Sequence, residues 1–211
     1  MRYRTMALTA LALTAFGAAP AAAQRTSVGM SYDWSSPMGD LNGFVSNDSW
    51  LGFTLDVRKP AGPDNRAAAG ATFGYYEFYQ MDGAATTSTI NFGATAVTGQ
   101  KYRHVFAIPM MLNVTGYGGR SSGTRPYIGL NAGVTYVRQT VDIGIYTLTS
   151  DVVVVSAMPE IGVMLPTTGR TAMNIHLRYH ISFGSDNLYS SGGSGASMPF
   201  LSLGIGFMGK P

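Results

Sequence analysis

Seven side chains that carry charge or a proton share one property: Asp33, Asp56, Arg103, Glu160, His176, Arg178 and His180 all fall on the small, polar face of an apparent strand. Charges held away from water need partners. Acids and bases of both signs on one face therefore predict an ionic network of Asp33, Asp56, Arg103, Glu160, His176 and Arg178, centred on Glu160–Arg178–Arg103. Such a network either fixes the structure or lines a polar path for water or protons. A metal fits poorly. His176 and His180 lie four residues apart, about 13 Å along a strand, and there is no cysteine, so no usable ligand spacing appears. Nucleophilic chemistry has little support: Ser182 and His180 are the nearest serine–histidine pairing, without a nucleophile elbow. Gly204-Ile-Gly206 and Gly129–Gly133 lie inside alternating stretches with no following helix, which removes a phosphate-cradle reading. No cofactor is expected.

The elements that position these residues show best at Met173–Ser182. There Met173, Ile175, Leu177, Tyr179 and Ile181 alternate with Asn174, His176, Arg178, His180 and Ser182. Successive side chains of a strand point to opposite faces, so this strand divides an oily medium from a wet one. Eight segments carry strand signals: 26–34, 50–58, 67–79, 101–114, 125–138, 151–165, 171–182 and 199–207. No convincing helix is read. The connections Ser35–Ser49, Gln80–Gln100, Gln139–Ser150 and Phe183–Met198 are long and polar. Those at Lys59–Arg66, Thr115–Thr124 and Pro166–Arg170 are short. Long connections thus gather at one end, and short ones at the other with both termini, which is how outer-membrane barrels are built.

At the N-terminus, Arg2 and Arg4 precede an apolar run from Met6 to Ala19 and then Ala21-Ala22-Ala23. This is the pattern of a secretory signal peptide, here residues 1–23, leaving 24–211 as one barrel domain. Without it the formal charge falls from +3 to about +1, with no basic run to suggest nucleic acid. An exported chain without cysteine rests on packing and backbone hydrogen bonding.

The alternation assigns faces. Val28, Met30, Tyr32 and Trp34 oppose Ser27, Gly29, Ser31 and Asp33. Leu51, Phe53, Leu55 and Val57 oppose Trp50, Gly52, Thr54 and Asp56. Ile128, Leu130, Ala132 and Val134 oppose Tyr127, Gly129, Asn131 and Gly133. Bulky apolar residues make one set; small and polar ones make the other. A soluble barrel fills its core with bulky residues, so these faces are expected in lipid around a narrow polar interior. Tyr32, Trp34, Trp50, Tyr75, Tyr76, Tyr79, Tyr102, Tyr136 and Tyr179 all fall beside the long connections. They predict an aromatic girdle at the membrane–water boundary, with Tyr127 and Phe207 as candidates for a thinner second girdle. If the segments flanking Pro166–Arg170 form a hairpin, Glu160 comes nearly opposite His176 and diagonal to Arg178.

In Ser49-Trp-Leu-Gly-Phe53, Lys101-Tyr-Arg-His-Val-Phe-Ala-Ile-Pro-Met110, Arg125-Pro-Tyr-Ile-Gly-Leu-Asn-Ala-Gly-Val-Thr-Tyr136 and Met158-Pro-Glu-Ile-Gly-Val163, the chain resembles the small eight-stranded outer-membrane β-barrels, the OmpA/OmpX architecture. The likeness spans the mature chain through the order and spacing of loose motifs. It implies an all-β, eight-stranded antiparallel up-and-down transmembrane β-barrel in the bacterial outer membrane, structural or porin-like. Its implied partners are outer-membrane lipid and the barrel-assembly machinery, with an unnamed extracellular ligand at the loops. Such barrels commonly end on an aromatic residue; here Phe207 is followed by Met208-Gly-Lys-Pro211. The other readings weighed are a lipid-modifying outer-membrane enzyme and a soluble periplasmic ligand-binding barrel.

Overall fold

The computed structural model describes residues 26–62, 65–82, 88–92, 95–119, 123–167, 169–183 and 197–209. The expected signal segment, 1–23, lies outside them. In chain order the elements are β1 (Ser27–Pro37), α1 (Gly39–Phe44), β2 (Ser49–Ala61), β3 (Ala67–Met81), β4 (Ser88–Phe92), β5 (Thr95–Gly99), β6 (Lys101–Tyr117), β7 (Arg125–Ile143), β8 (Tyr146–Pro166), β9 (Thr171–Ser182) and β10 (Phe200–Gly209). Eight strands close in the order β1-β10-β9-β8-β7-β6-β3-β2. Every pairing is antiparallel, including the β1–β10 seam. Closure leaves no sheet edge along the paired registers, which is what a sheet needs in lipid.

The bulky set points outward. Leu112 is 72 % exposed, Ile128 69 %, Met30 67 % and Phe207 63 %. Val28, Leu55, Leu130, Val155, Ile161 and Ile205 continue the belt round the wall. The polar residues of β9, from Asn174 to Ser182, are buried inside. A belt of this kind round a closed barrel belongs in hydrocarbon, because water would leave that apolar area unburied.

Four features depart from the sequence reading. First, Gln139–Ser150 is not a loop. β7 and β8 stay paired up to Ile143 and Tyr146, joined by Gly144-Ile145, where Gly144 takes a φ of +60°. A two-residue hairpin turn requires such a backbone, and glycine supplies it without strain. Inside this extension Val137, Val141, Ile143 and Val154 are buried, with Leu148 and Val152 packed on them. That explains the continuous Val152–Val155 run: two of these valines face lipid, and the other two face an apolar interior.

Second, the connection after β1 contains the short helix α1. Its six residues are held by packing, since Leu41, Phe44 and the following Val45 are buried, and helices this short are not stable alone. Third, the connection after β3 carries a separate two-stranded hairpin, β4–β5. Fourth, Trp50 does not join the inward set. The β1–β2 register shifts between Asp33 and Ser35, where Asp33 faces Gly52 but Ser35 faces Ser49. Trp50 and Leu51 together oppose Trp34, so this is a β-bulge, and both bulged side chains end up exposed.

Candidate functional site

The interior is filled in three tiers. Toward the loop end, Leu41, Phe44 and Val45 from the α1 segment meet Tyr76, Phe78, Val105, Ala107, Val137, Met198 and Phe200 in an apolar cluster. Toward the turn end, Ala68, Tyr117, Tyr127, Met164, Ala172 and Met208 form a smaller one. Between them lies the charged tier.

Its centre is Glu160, on β8. Arg58 Nη2 donates to Glu160 Oε1 at 2.9 Å and the Tyr127 hydroxyl donates to the same oxygen at 2.7 Å. Asn131 Nδ2 donates to Oε2 at 3.3 Å, and Arg178 lies within 3.3 Å of both oxygens. Arg178 Nη2 also donates to Asp56 Oδ2 at 2.7 Å, and the Thr72 hydroxyl to Asp56 Oδ1 at 2.6 Å. Arg58 Nη2 also reaches Asp56 Oδ1 at 3.5 Å, so each arginine bridges two carboxylates, a geometry its planar fork of donors permits. A second cluster adjoins it. His176 Nε2 stands 2.9 Å from Asp33 Oδ1, while the Thr54 and Tyr76 hydroxyls donate to Asp33 Oδ2. Asp33, Asp56, Arg58, Glu160, His176 and Arg178 are all buried.

The register explains the second cluster. Asp33 pairs with Gly204 and Gly204 with His176, so aspartate and histidine stand on either side of a residue without a side chain. Each leans over the glycine to reach the other: a Cβ at Gly204 would lie 1.9 Å from Asp33 Oδ1 and 2.2 Å from His176 Nε2.

The structure thus brings together Asp33, Asp56, Glu160, His176 and Arg178, and places Arg103 elsewhere. Arg103 donates to the Phe44 carbonyl at 2.6 Å and pairs with Asp82, near the loop end. Alternation fixes a residue's face but not its depth, and Arg103 pairs with Val141, high on β7. Arg58, absent from the sequence reading, takes its place in the network. The parity that turns Asp56 inward turns Arg58 inward too, so the signal was present. The expected hairpin geometry is also revised: Glu160 stands directly opposite Arg178, and His176 opposite Gly162.

His180 and Ser182 both point inward, as residues two apart must. His180 Nε2 lies 3.0 Å from the Thr135 hydroxyl and the ring stacks on Phe200 at 4.5 Å, while Ser182 Oγ accepts the Met198 amide at 2.6 Å. Both are occupied in packing under the loop-end cluster, not poised as nucleophile and base.

On the outer wall, Tyr32, Trp50, Tyr75, Tyr79 and Tyr179 are exposed, and Trp34, Tyr102 and Tyr136 are half-buried beside them. They interlock in pairs, Tyr32–Phe53 at 5.2 Å, Trp34–Trp50 at 6.3 Å and Tyr79–Tyr102 at 6.4 Å. Above Tyr75 and Tyr136 the wall carries polar pairs, His104 Nε2 with Glu77 Oε1 at 2.7 Å and the Arg138–Asp151 ion pair at 2.5 Å. Two expected girdle residues point inward instead. Tyr76 donates to Asp33 inside the lumen, and Tyr127 donates to Glu160, with Asn174 Oδ1 2.9 Å from the same hydroxyl. A tyrosine hydroxyl buried in the barrel needs such a partner. Phe207 does face outward, and β10 runs on through a buried Met208 to Gly209.

The loop-end cluster is tied down by polar contacts. Met38 donates its amide to the Pro199 carbonyl at 2.9 Å, and Asp40 Oδ2 accepts from the Ser197 amide and hydroxyl at 2.9 and 3.0 Å. Those two hydrogen bonds hold the exposed Asp40 carboxyl below its ordinary value of 3.8. A depressed folded-state pKa means the contact is present above the unfolded value and is lost as pH falls through the folded one. The Ser197 amide resonance is therefore expected to titrate with a midpoint below 3.8. A midpoint above that value would contradict the contact.

No family model and no curated protein matches the chain. Among solved structures, Neisserial surface protein A aligns with a TM-score of 0.50 at 13% identity, covering 88% of this chain and 96% of that one. The fold is that of the small outer-membrane barrels. Two further outer-membrane barrels align more loosely. Ail, the attachment invasion locus protein of Yersinia pestis, crystallised with the heparin analogue sucrose octasulfate, gives 0.47 at 11% identity, over 87% of this chain and 97% of that one. The N-terminal barrel of Pseudomonas aeruginosa OprF gives 0.42 at 12% identity, over 86% and 96%. The charged tier and the two apolar clusters are features of this outer-membrane barrel's own side chains.

Proposed function

We propose that this outer-membrane barrel is a structural, surface-displaying protein with a closed lumen, and not a diffusion pore. The observation that carries the reading is the order of the tiers: apolar, ionic, apolar. An eight-stranded barrel is just wide enough for side chains to fill, and here they do. An ion entering the lumen would have to cross the Leu41–Phe44–Phe200 cluster without water, and then displace arginines from carboxylates they already hold. Desolvation and competition for partners both oppose this. The rigid wall leaves the loops as the working surface, since binding residues commonly sit on loops held by a scaffold. Its partners in this reading are membrane lipid round the belt, the assembly machinery acting on the C-terminal strand, and an extracellular ligand at the loops. Liposomes carrying the purified barrel should swell in small sugars and amino acids no faster than protein-free liposomes. Faster swelling would overturn the closed-lumen reading.

A further inference from the structure

We infer that the turn end of the barrel carries a ring of cations that holds anionic phospholipid headgroups of the adjoining leaflet. The proposal rests on the barrel standing in a bilayer, as read above.

Charge is divided sharply between the two ends. At the turn end, Lys59, Arg66 and Arg170 are exposed, and none is paired with an acid among the described residues. Arg125 lies beside them on the inner rim. Its Nη2 donates to the Asn65 carbonyl at 2.6 Å and its guanidinium sits 4.6 Å over Tyr117, with Nε and Nη1 unpartnered. The described acids with exposed or half-exposed side chains, Asp40, Asp48, Glu77, Asp82, Asp142 and Asp151, are all at the other end. There Arg103 is neutralised by Asp82 and Arg138 by Asp151, and Lys101, opposite Ile143, is the other lysine or arginine of that end among the described residues.

Position identifies the occupant. Lys59 continues the outward row Phe53, Leu55, Val57 of β2. It stands one two-residue step beyond Val57, about 7 Å lower on the wall. That is where hydrocarbon gives way to headgroups. Arg66 immediately precedes β3 and Arg170 immediately precedes β9, so the cations are spread round the rim. A single bound ion or peptide would call for a cluster; a leaflet meets the rim on all sides. Cations near a membrane surface attract anionic lipid, each by up to about fivefold at modest salt, and the attraction is screened as salt rises.

The test uses the mature barrel reconstituted in phosphatidylethanolamine vesicles containing trace spin-labelled phosphatidylglycerol or spin-labelled phosphatidylcholine. Phosphatidylglycerol is expected to be enriched about threefold over phosphatidylcholine in the lipid touching the protein. The preference should fall toward unity in high salt and in the triple variant Lys59→Gln/Arg66→Gln/Arg170→Gln. It should persist in the charge-conserving Lys59→Arg/Arg66→Lys/Arg170→Lys. The salt series needs only the wild type, so a variant that fails to fold leaves the test intact. Equal association of the two lipids with the wild type overturns the proposal. So does a preference that survives both high salt and the triple variant. Binding of purified peptidoglycan without lipid preference would also overturn it, by assigning the cations to a polymer. None of these outcomes bears on swelling, so the closed lumen stands or falls separately.

Discussion

Replacing Glu160 with Gln is expected to cost the folded barrel about 3 kcal/mol, read as a lower urea midpoint at an unchanged slope and a lower temperature of the folded-to-unfolded gel shift. Glu160 receives hydrogen bonds from Arg58, Arg178, Tyr127 and Asn131. The amide keeps the shape and one acceptor oxygen, so Tyr127 retains a partner. It removes the charge, which leaves two buried guanidiniums to share Asp56. Breaking a buried pair from one side is worth about 3–5 kcal/mol, whereas replacing the pair together with apolar groups is often neutral. The double variant Glu160→Gln/Arg58→Met should therefore recover about half of the loss or more. A Glu160→Gln barrel as stable as the wild type would remove the network from the account of stability.

Gly204→Ala should be about as damaging, at roughly 2–4 kcal/mol from overpacking and the loss of a buried polar contact. The new methyl would fall between Asp33 and His176, within 2.2 Å of each, so the two must separate or β10 must shift away from β1 and β9. Gly116→Ala is the matched control, because a Cβ there meets nothing within 4 Å. Equal stability of the two variants, measured by urea unfolding in the same detergent, would mean that Asp33 and His176 do not close over the glycine.

The contrast between these positions shows what could be read from the chain and what could not. Period-two alternation is a local property, so the faces of β1, β7, β9 and most of β2 were legible, as was the inward placement of Asp33, Asp56, Glu160, His176 and Arg178. Depth is not local. It depends on register, and register placed Arg103 with Asp82 near the mouth while bringing Arg58 to Glu160. Parity also fails where the pairing slips: the bulge opposite Trp34 turned Trp50 outward. The α1 segment carries too few residues for a helical period to show, and only the buried side of Leu41 and Phe44 explains it. The length of the β7–β8 hairpin was hidden for a related reason. Its polar outer residues read as a loop, although Val141 and Ile143 face a buried interior.

The central claim is that an apolar cluster on either side of a buried ionic tier shuts the lumen. Planar-bilayer recording of the purified, folded barrel in high salt tests it most directly. The account predicts insertion without discrete conductance steps, at either polarity of the applied voltage. Reproducible steps from the wild-type barrel, abolished when the protein is unfolded beforehand, would show an open path and contradict it.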